Sequence, residues 1–212
     1  MIEAIAVTVI PIGFLVVLFG GGAAFRRRAI EQDGEAPVNR TLFYVSKYSI
    51  LVVWGAMAFR SWGIGLSVVE APAVIAGIAP ALWVSGFVLL FLGRFGLGSS
   101  FRLGTPKEST GLRTGGVYRI SRNPMYLGVY ATVLASVLYT TNPLVLVVGA
   151  VVVYVHHTIV LAEEEHMRKA FGREYDEYCR RVGRYIGPIP CRGPTVLFVD
   201  RLRESWRAGR NP

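Results

Sequence analysis

Residues 124–162 read PMYLGVYATVLASVLYTTNPLVLVVGAVVVYVHHTIVLA. Two apolar runs, 124–140 and 143–162, are separated only by Thr141 and Asn142. Pro143 stands at the first turn of the second run, where its fixed φ and missing N–H suit a helix start. A bilayer core of about 30 Å needs about 20 apolar helical residues, so the stretch reads as a tight hairpin of two membrane helices. Working outward, residues 2–25, 41–59 and 73–93 offer three further apolar windows. No segment alternates with period two over the length a membrane strand requires, which argues against a barrel. The expected fold is an all-α integral membrane protein of about five transmembrane helices ending in a helical hairpin.

Composition agrees. Of 212 residues 52% are hydrophobic and 17% charged, and the mean hydropathy is +0.44, more apolar surface than one soluble domain of this length usually hides. The net charge of +9 would raise nucleic acid as a partner in a soluble protein, but here the basic residues flank hydrophobic spans. With five crossings and the N-terminus outside, every Lys and Arg except Arg60 falls on one side, which the positive-inside rule makes the cytoplasm. Glu3 ahead of the first span and Arg26, Arg27 and Arg28 behind it mark a retained anchor, not a cleaved signal peptide.

Several chemistries have no support in the chain. Cys179 and Cys191 lack metal-ligand companions at usable spacing, so no metal is expected. There is no Gly-rich phosphate loop after a strand, no nucleophile elbow and no internal repeat of the kind many transporters carry. Polar residues concentrate instead in the loop Arg94 to Asn123 and the segment Glu163 to Gly187, both on the expected cytoplasmic side. The last stretch, with Val196, Leu197, Val199, Leu202 and Trp206 among arginines, has the pattern of an amphipathic helix on the inner leaflet.

The stretch Gly116 to Gly128 crowds Tyr118, Arg122, Asn123 and Tyr126 around Pro124 at the start of a membrane helix. Asn123 alone would serve as the cap such a helix needs, so the rest invites a ligand. Gly116, Tyr118, Arg122, Pro124, Tyr126 and Gly128 are followed by Glu163, Glu164 and Glu165, then by Phe171, Gly172, Glu174, Tyr175 and Tyr178. In order and spacing, over roughly residues 110–188, this series resembles the isoprenylcysteine carboxyl methyltransferase family of membrane enzymes.

The resemblance implies transfer of a methyl group from S-adenosylmethionine to a lipophilic acceptor, with the bilayer as the other partner. It also implies a cofactor pocket at the cytoplasmic end of the hairpin. The cofactor contacts carried over by position are Thr110, Gly111, Leu112, Arg113, Tyr118, Asn123, Pro124, Met125, Tyr126 and Glu163, to which the basic Arg122 is added. The implied organisation is three N-terminal spans (1–98), a methyltransferase core (99–190) and a tail (191–212). Within the core, Glu164 and Glu165 are expected to pair with Arg168 and Lys169 at a charged helix exit. Phe171, Tyr175 and Tyr178, at helical spacing, either pack the tail onto the bundle or touch adenine.

Two departures from the family pattern carry information. Asn123 stands where the family more often has His, and Asn cannot carry a proton. The position of the family's substrate-carboxylate arginine falls on Ile159, which cannot pair with an anion, so a prenylcysteine carboxylate is not the expected acceptor. Seven residues before Glu163 and on nearly the same helical face lies His156, an ionisable group inside a span and a candidate base. Two other readings compete: a nicotinamide-dependent reductase of sterol-like lipids, and a channel or carrier, for which broken helices and buried acidic pairs are missing.

Overall fold

The computed structural model describes residues 1–19, 40–97 and 111–187. Among these lie five long helices and no strand: α1 (Ile2–Phe19), α2 (Arg40–Ser61), α3 (Ala73–Leu97), α4 (Pro124–Thr140) and α5 (Pro143–Arg181), with a 3-10 turn at Gly116–Arg119 before α4. The helices fall on the five apolar windows. By length and composition α3 and α5 are sufficient to cross a membrane, while the apolar helices Ile2–Leu18 and Pro124–Thr140 are shorter. The loop residues 99–109, Thr110, Cys191 and the tail 191–212 lie outside the described residues, as does the first window beyond Phe19.

The hairpin forms for local reasons. α4 opens on Pro124, and its interior hydroxyls are satisfied within the helix, Thr132 donating to the Val129 carbonyl at 2.8 Å, Ser136 to Thr132 at 2.9 Å and Thr140 to Ser136 at 2.7 Å. Polar side chains can therefore be buried in an apolar bundle without loss of hydrogen bonds. Thr141, left-handed at φ 44, ends α4. Asn142 then caps α5, its side chain accepting from the amides of Leu144 (2.9 Å) and Val145 (3.4 Å), which satisfies amides that have no intrahelical partner.

One expectation is corrected. Asn123 occupies the N-cap position of α4 but makes no side-chain cap bond; its amide is drawn instead to Glu164 and the Arg184 carbonyl. After the hairpin, α5 runs on past its apolar stretch and kinks at Gly172 (φ 50, ψ −123), where two helical pieces meet, a backbone that glycine adopts without a Cβ clash. At about 1.5 Å per residue, α5 is far longer than a bilayer is thick. Its apolar run ends at Ala162, and Glu163 to Arg181 extend beyond it.

α3 and α4 pack most closely, because glycines face each other at their crossing. A Cβ on Gly128 would sit 2.6 Å from the Gly86 carbonyl oxygen, and one on Gly86 would sit 2.9 Å from that of Gly128. Such small-residue contacts let helices approach where no hydrophobic drive separates helix from lipid. Beside them Phe14, Trp54, Trp83 and Phe87 form an edge-to-face cluster joining α1, α2 and α3, and the Trp54 indole donates to Thr132 of α4 at 3.0 Å. Outside, Val84, Val88 and Leu92 of α3 remain about half exposed along one helical face, an apolar surface of the kind lipid would cover.

Candidate functional site

The polar stretch before α4, the end of the apolar run of α5 and the chain after α5 meet in one buried network. Arg122, 6% exposed, donates to Glu164 at 2.9 Å and to the carbonyls of Val182 (2.6 Å) and Cys179 (3.4 Å). Arg184 reaches the other Glu164 oxygen through Nε (3.1 Å) and Nη2 (2.9 Å). Backbone bonds complete the clasp: the Arg122 amide donates to Gly183 (3.0 Å), and the Ser121 hydroxyl to the Arg184 carbonyl (3.2 Å). One carboxylate thus ties residues 121–123 to residues 182–184.

This corrects the expected pairing of Glu164. Glu165 does pair with Arg168 and Lys169, but Glu164 turns inward. Burial alone would raise its carboxyl, yet hydrogen bonds and charge from Arg184 and Arg122 outweigh burial and hold it below its ordinary value. Arg184 responds in kind: burial pulls its guanidinium down, and Glu164 more than offsets this.

Against this clasp lies a cavity of about 540 Å³, a size that suits a small-molecule ligand. Its walls bring together nearly every candidate residue. Gly111, Leu112, Arg113 and Tyr118 come from the loop and turn, Arg122, Asn123, Pro124, Met125 and Tyr126 from the start of α4, and His156 and Glu163 from α5. Thr110 lies outside the described residues. Tyr118 is fixed at both ends, its hydroxyl on the Gly93 carbonyl (3.1 Å) and its own carbonyl accepting from Tyr178 (2.6 Å). Tyr175 and Tyr178 both pack with Cys179 and Val182 and also face the cavity. Cys179 is buried in this cluster and carries no free thiol.

Glu163 differs from its neighbour. Its carboxylate accepts from the Tyr126 hydroxyl at 2.8 Å and meets no cationic side chain among the described residues. Burial pushes it up to about 7, opposed by the Tyr126 hydrogen bond and helped by the charge of Glu164. A partly buried carboxylate with no counter-ion of its own, bordered by tyrosines, favours a cation placed beside it. Among the described residues no three metal-ligating side chains gather.

The other half of the cavity was not legible in the sequence. Phe14, Leu15 and Leu18 of α1, Ile50, Leu51 and Trp54 of α2, and Leu90 and Leu97 of α3 line an apolar chamber continuous with the polar wall. Their periodicity marks them only as membrane helices. Ile159 also faces the chamber at 2% exposure. His157 points elsewhere, to the Tyr185 hydroxyl at 2.8 Å, which in turn meets Tyr130 at 3.1 Å.

Comparison with known proteins agrees on a class. The phospholipid methyltransferase family model matches residues 72–174, which spans α3, α4 and most of α5. Protein-S-isoprenylcysteine O-methyltransferase B of Arabidopsis thaliana is 36% identical over 77 residues, 36% of this chain and 39% of that protein. Among solved structures, the eukaryotic intramembrane Ras methyltransferase, an isoprenylcysteine carboxyl methyltransferase, is 21% identical with a TM-score of 0.49, covering 73% of this chain and 54% of its own. The chain therefore spans well under two thirds of either relative. The class these matches support is the membrane methyltransferases of the phospholipid and isoprenylcysteine type. The curated relative is itself an isoprenylcysteine methyltransferase, the kind of enzyme that the residue pattern of 110–188 resembles.

Proposed function

We propose that this chain is an S-adenosylmethionine-dependent methyltransferase acting on a lipophilic, membrane-partitioned acceptor other than a prenylcysteine carboxylate. The observation that carries this reading is Glu163, a partly buried carboxylate facing a ligand-sized cavity without a cationic partner of its own among the described residues. The methyl donor is a sulfonium cation bearing an amine, a carboxylate and an adenosine. Glu163 would meet its positive charge, Tyr118 and Tyr126 would offer aromatic faces, and the backbone of Gly111 to Arg113 and Asn123 to Met125 would supply donors and acceptors. When bound, the donor supplies an already activated methyl group, so the protein's part is alignment and exclusion of water.

Arg122 takes a different part from the one its charge suggests. Its guanidinium is committed to Glu164 and to the carbonyls of Cys179 and Val182, so it would hold the wall in shape. The acceptor's apolar body would occupy the chamber of α1, α2 and α3, entering from lipid, while the donor enters from the cytoplasm. Residues 1–98 on this reading build the acceptor chamber, residues 99–190 the transfer core and residues 191–212 an interfacial anchor. Ile159 on the chamber wall offers no charge to an acceptor carboxylate.

Calorimetry of the purified protein with S-adenosylmethionine and with reduced nicotinamide dinucleotide phosphate tests the reading. Saturable uptake of the first and none of the second is expected; the reverse result overturns it. Mass spectrometry of a lipid extract incubated with protein and methyl-labelled donor then identifies the acceptor.

A further inference from the structure

His156 is bound in a way that decides which of its nitrogens can act. Its Nδ1 lies 2.8 Å from the Val152 carbonyl oxygen one turn back on α5, and 2.8 Å from the hydroxyl of Ser46 on α2. A carbonyl oxygen can only accept, so the nitrogen facing it at that distance carries the proton. Were Nδ1 bare and Ser46 the donor, two lone pairs would face each other across 2.8 Å. In the neutral ring Nε2 is then the basic atom. His156 lines the cavity, and Nε2 has no partner among the described residues. The Tyr126 ring stands edge-on 5.9 Å away, its hydroxyl committed to Glu163.

We infer that Ser46 and the Val152 carbonyl hold His156 in the Nδ1-protonated form, so that Nε2 takes a proton from the acceptor, and that the acceptor is therefore a thiol or an acidic hydroxyl on an apolar body. This rests on the methyl-transfer reading above and narrows its substrate class. The acceptor's S–H or O–H bond breaks and its proton passes to Nε2, giving an imidazolium. The electron pair left on the acceptor atom forms the bond to the methyl carbon, and the carbon–sulfur pair of the donor departs with the donor's sulfur. A carboxylate arrives already ionised and would have no proton for Nε2. Ile159, one turn beyond His156 on the same wall, leaves it no cation at that position either. Ser46, fully buried, is a positioning residue: it touches the ring and not the acceptor.

Three probes in detergent micelles separate the outcomes: dodecanethiol, 4-dodecylphenol and dodecanoic acid, each with S-adenosylmethionine and either wild type or His156→Gln. Wild type is expected to methylate the thiol or the phenol. His156→Gln is expected to lower that turnover on the order of 100-fold or more, with donor affinity by calorimetry unchanged. A readout without donor or turnover is nitrogen NMR of labelled histidine. The chain has three histidines, and the signal absent from His156→Gln should belong to an Nδ1-protonated ring. An Nε2-protonated ring, equal turnover by His156→Gln, methylation of dodecanoic acid alone, or no methylation by protein that binds the donor would overturn the inference. Failure to take up the donor at all sinks the underlying reading instead, and the ring's protonation, read on wild type, still decides the His156 geometry.

Discussion

Tyr126, in the first turn of α4, donates its phenolic proton across 2.8 Å to Glu163, the first residue beyond the apolar run of α5. The bond joins the two arms of the hairpin at the cavity wall and leaves the second Glu163 oxygen for a ligand. Glu163 also sets the charge of the site, because a carboxyl pushed up to about 7 by burial, against the pull of this bond, changes ionisation in the physiological range.

S-adenosylmethionine uptake should therefore depend on pH. A cationic ligand favours ionised Glu163, so affinity rises with pH through about 7 and falls by up to about tenfold per unit below it. Calorimetry between about pH 6 and about pH 8 checks the slope. Glu163→Gln should weaken binding and flatten the dependence; an unchanged slope in that variant would place the titrating group elsewhere.

Glu164 governs stability where Glu163 governs binding. Removing it leaves Arg122 and Arg184 facing each other in a buried site, and Glu164→Ala should cost about 3–5 kcal/mol, read as a lowered denaturation midpoint in detergent. Its carboxyl is held below the ordinary value, so its contribution is complete above the usual carboxylate range and is lost as pH falls through the depressed value. Thermal unfolding followed from neutral to acid pH should show this loss in wild type and a shallower one in Glu164→Gln.

The crossing of α3 and α4 tolerates no added methyl group. Gly128→Ala would bring a Cβ to 2.6 Å from the Gly86 carbonyl oxygen, which backbone must move to relieve. The expected loss is about 1–3 kcal/mol. Gly111→Ala, where the added atom meets nothing within 4 Å, should leave the melting temperature unchanged and serves as the control.

The apolar chamber can be filled without touching the donor's wall. Leu51→Trp on α2 enlarges a cavity-lining side chain and should reduce turnover of a lipophilic acceptor by about tenfold or more, the loss expected when about 1.4 kcal/mol of chamber contact is removed. S-adenosylmethionine affinity in calorimetry should stay unchanged. Equal losses of both would mean that the two ligands do not occupy separate halves.

The sequence by itself determined the helical class, the hairpin and one wall of the site. Apolar runs of membrane length can fold only as helices that satisfy their own backbone, and Thr141, Asn142 and Pro143 mark the turn as terminator, cap and first-turn residue. The contacts drawn from the Gly116 to Gly128 stretch and Glu163 depended on residue type at fixed spacing, and the cavity gathers them. Only the tertiary structure decided which polar residues were taken up in holding that wall. Glu164 and Arg122 are 42 positions apart, and neither helical period nor neighbouring charge distinguishes Glu164, which turns inward, from Glu165, which does not. The apolar chamber and the Ser46 to His156 contact were equally hidden, because in a membrane helix lipid-facing and ligand-facing side chains share one chemistry, and only the packing of α2 against α5 tells them apart.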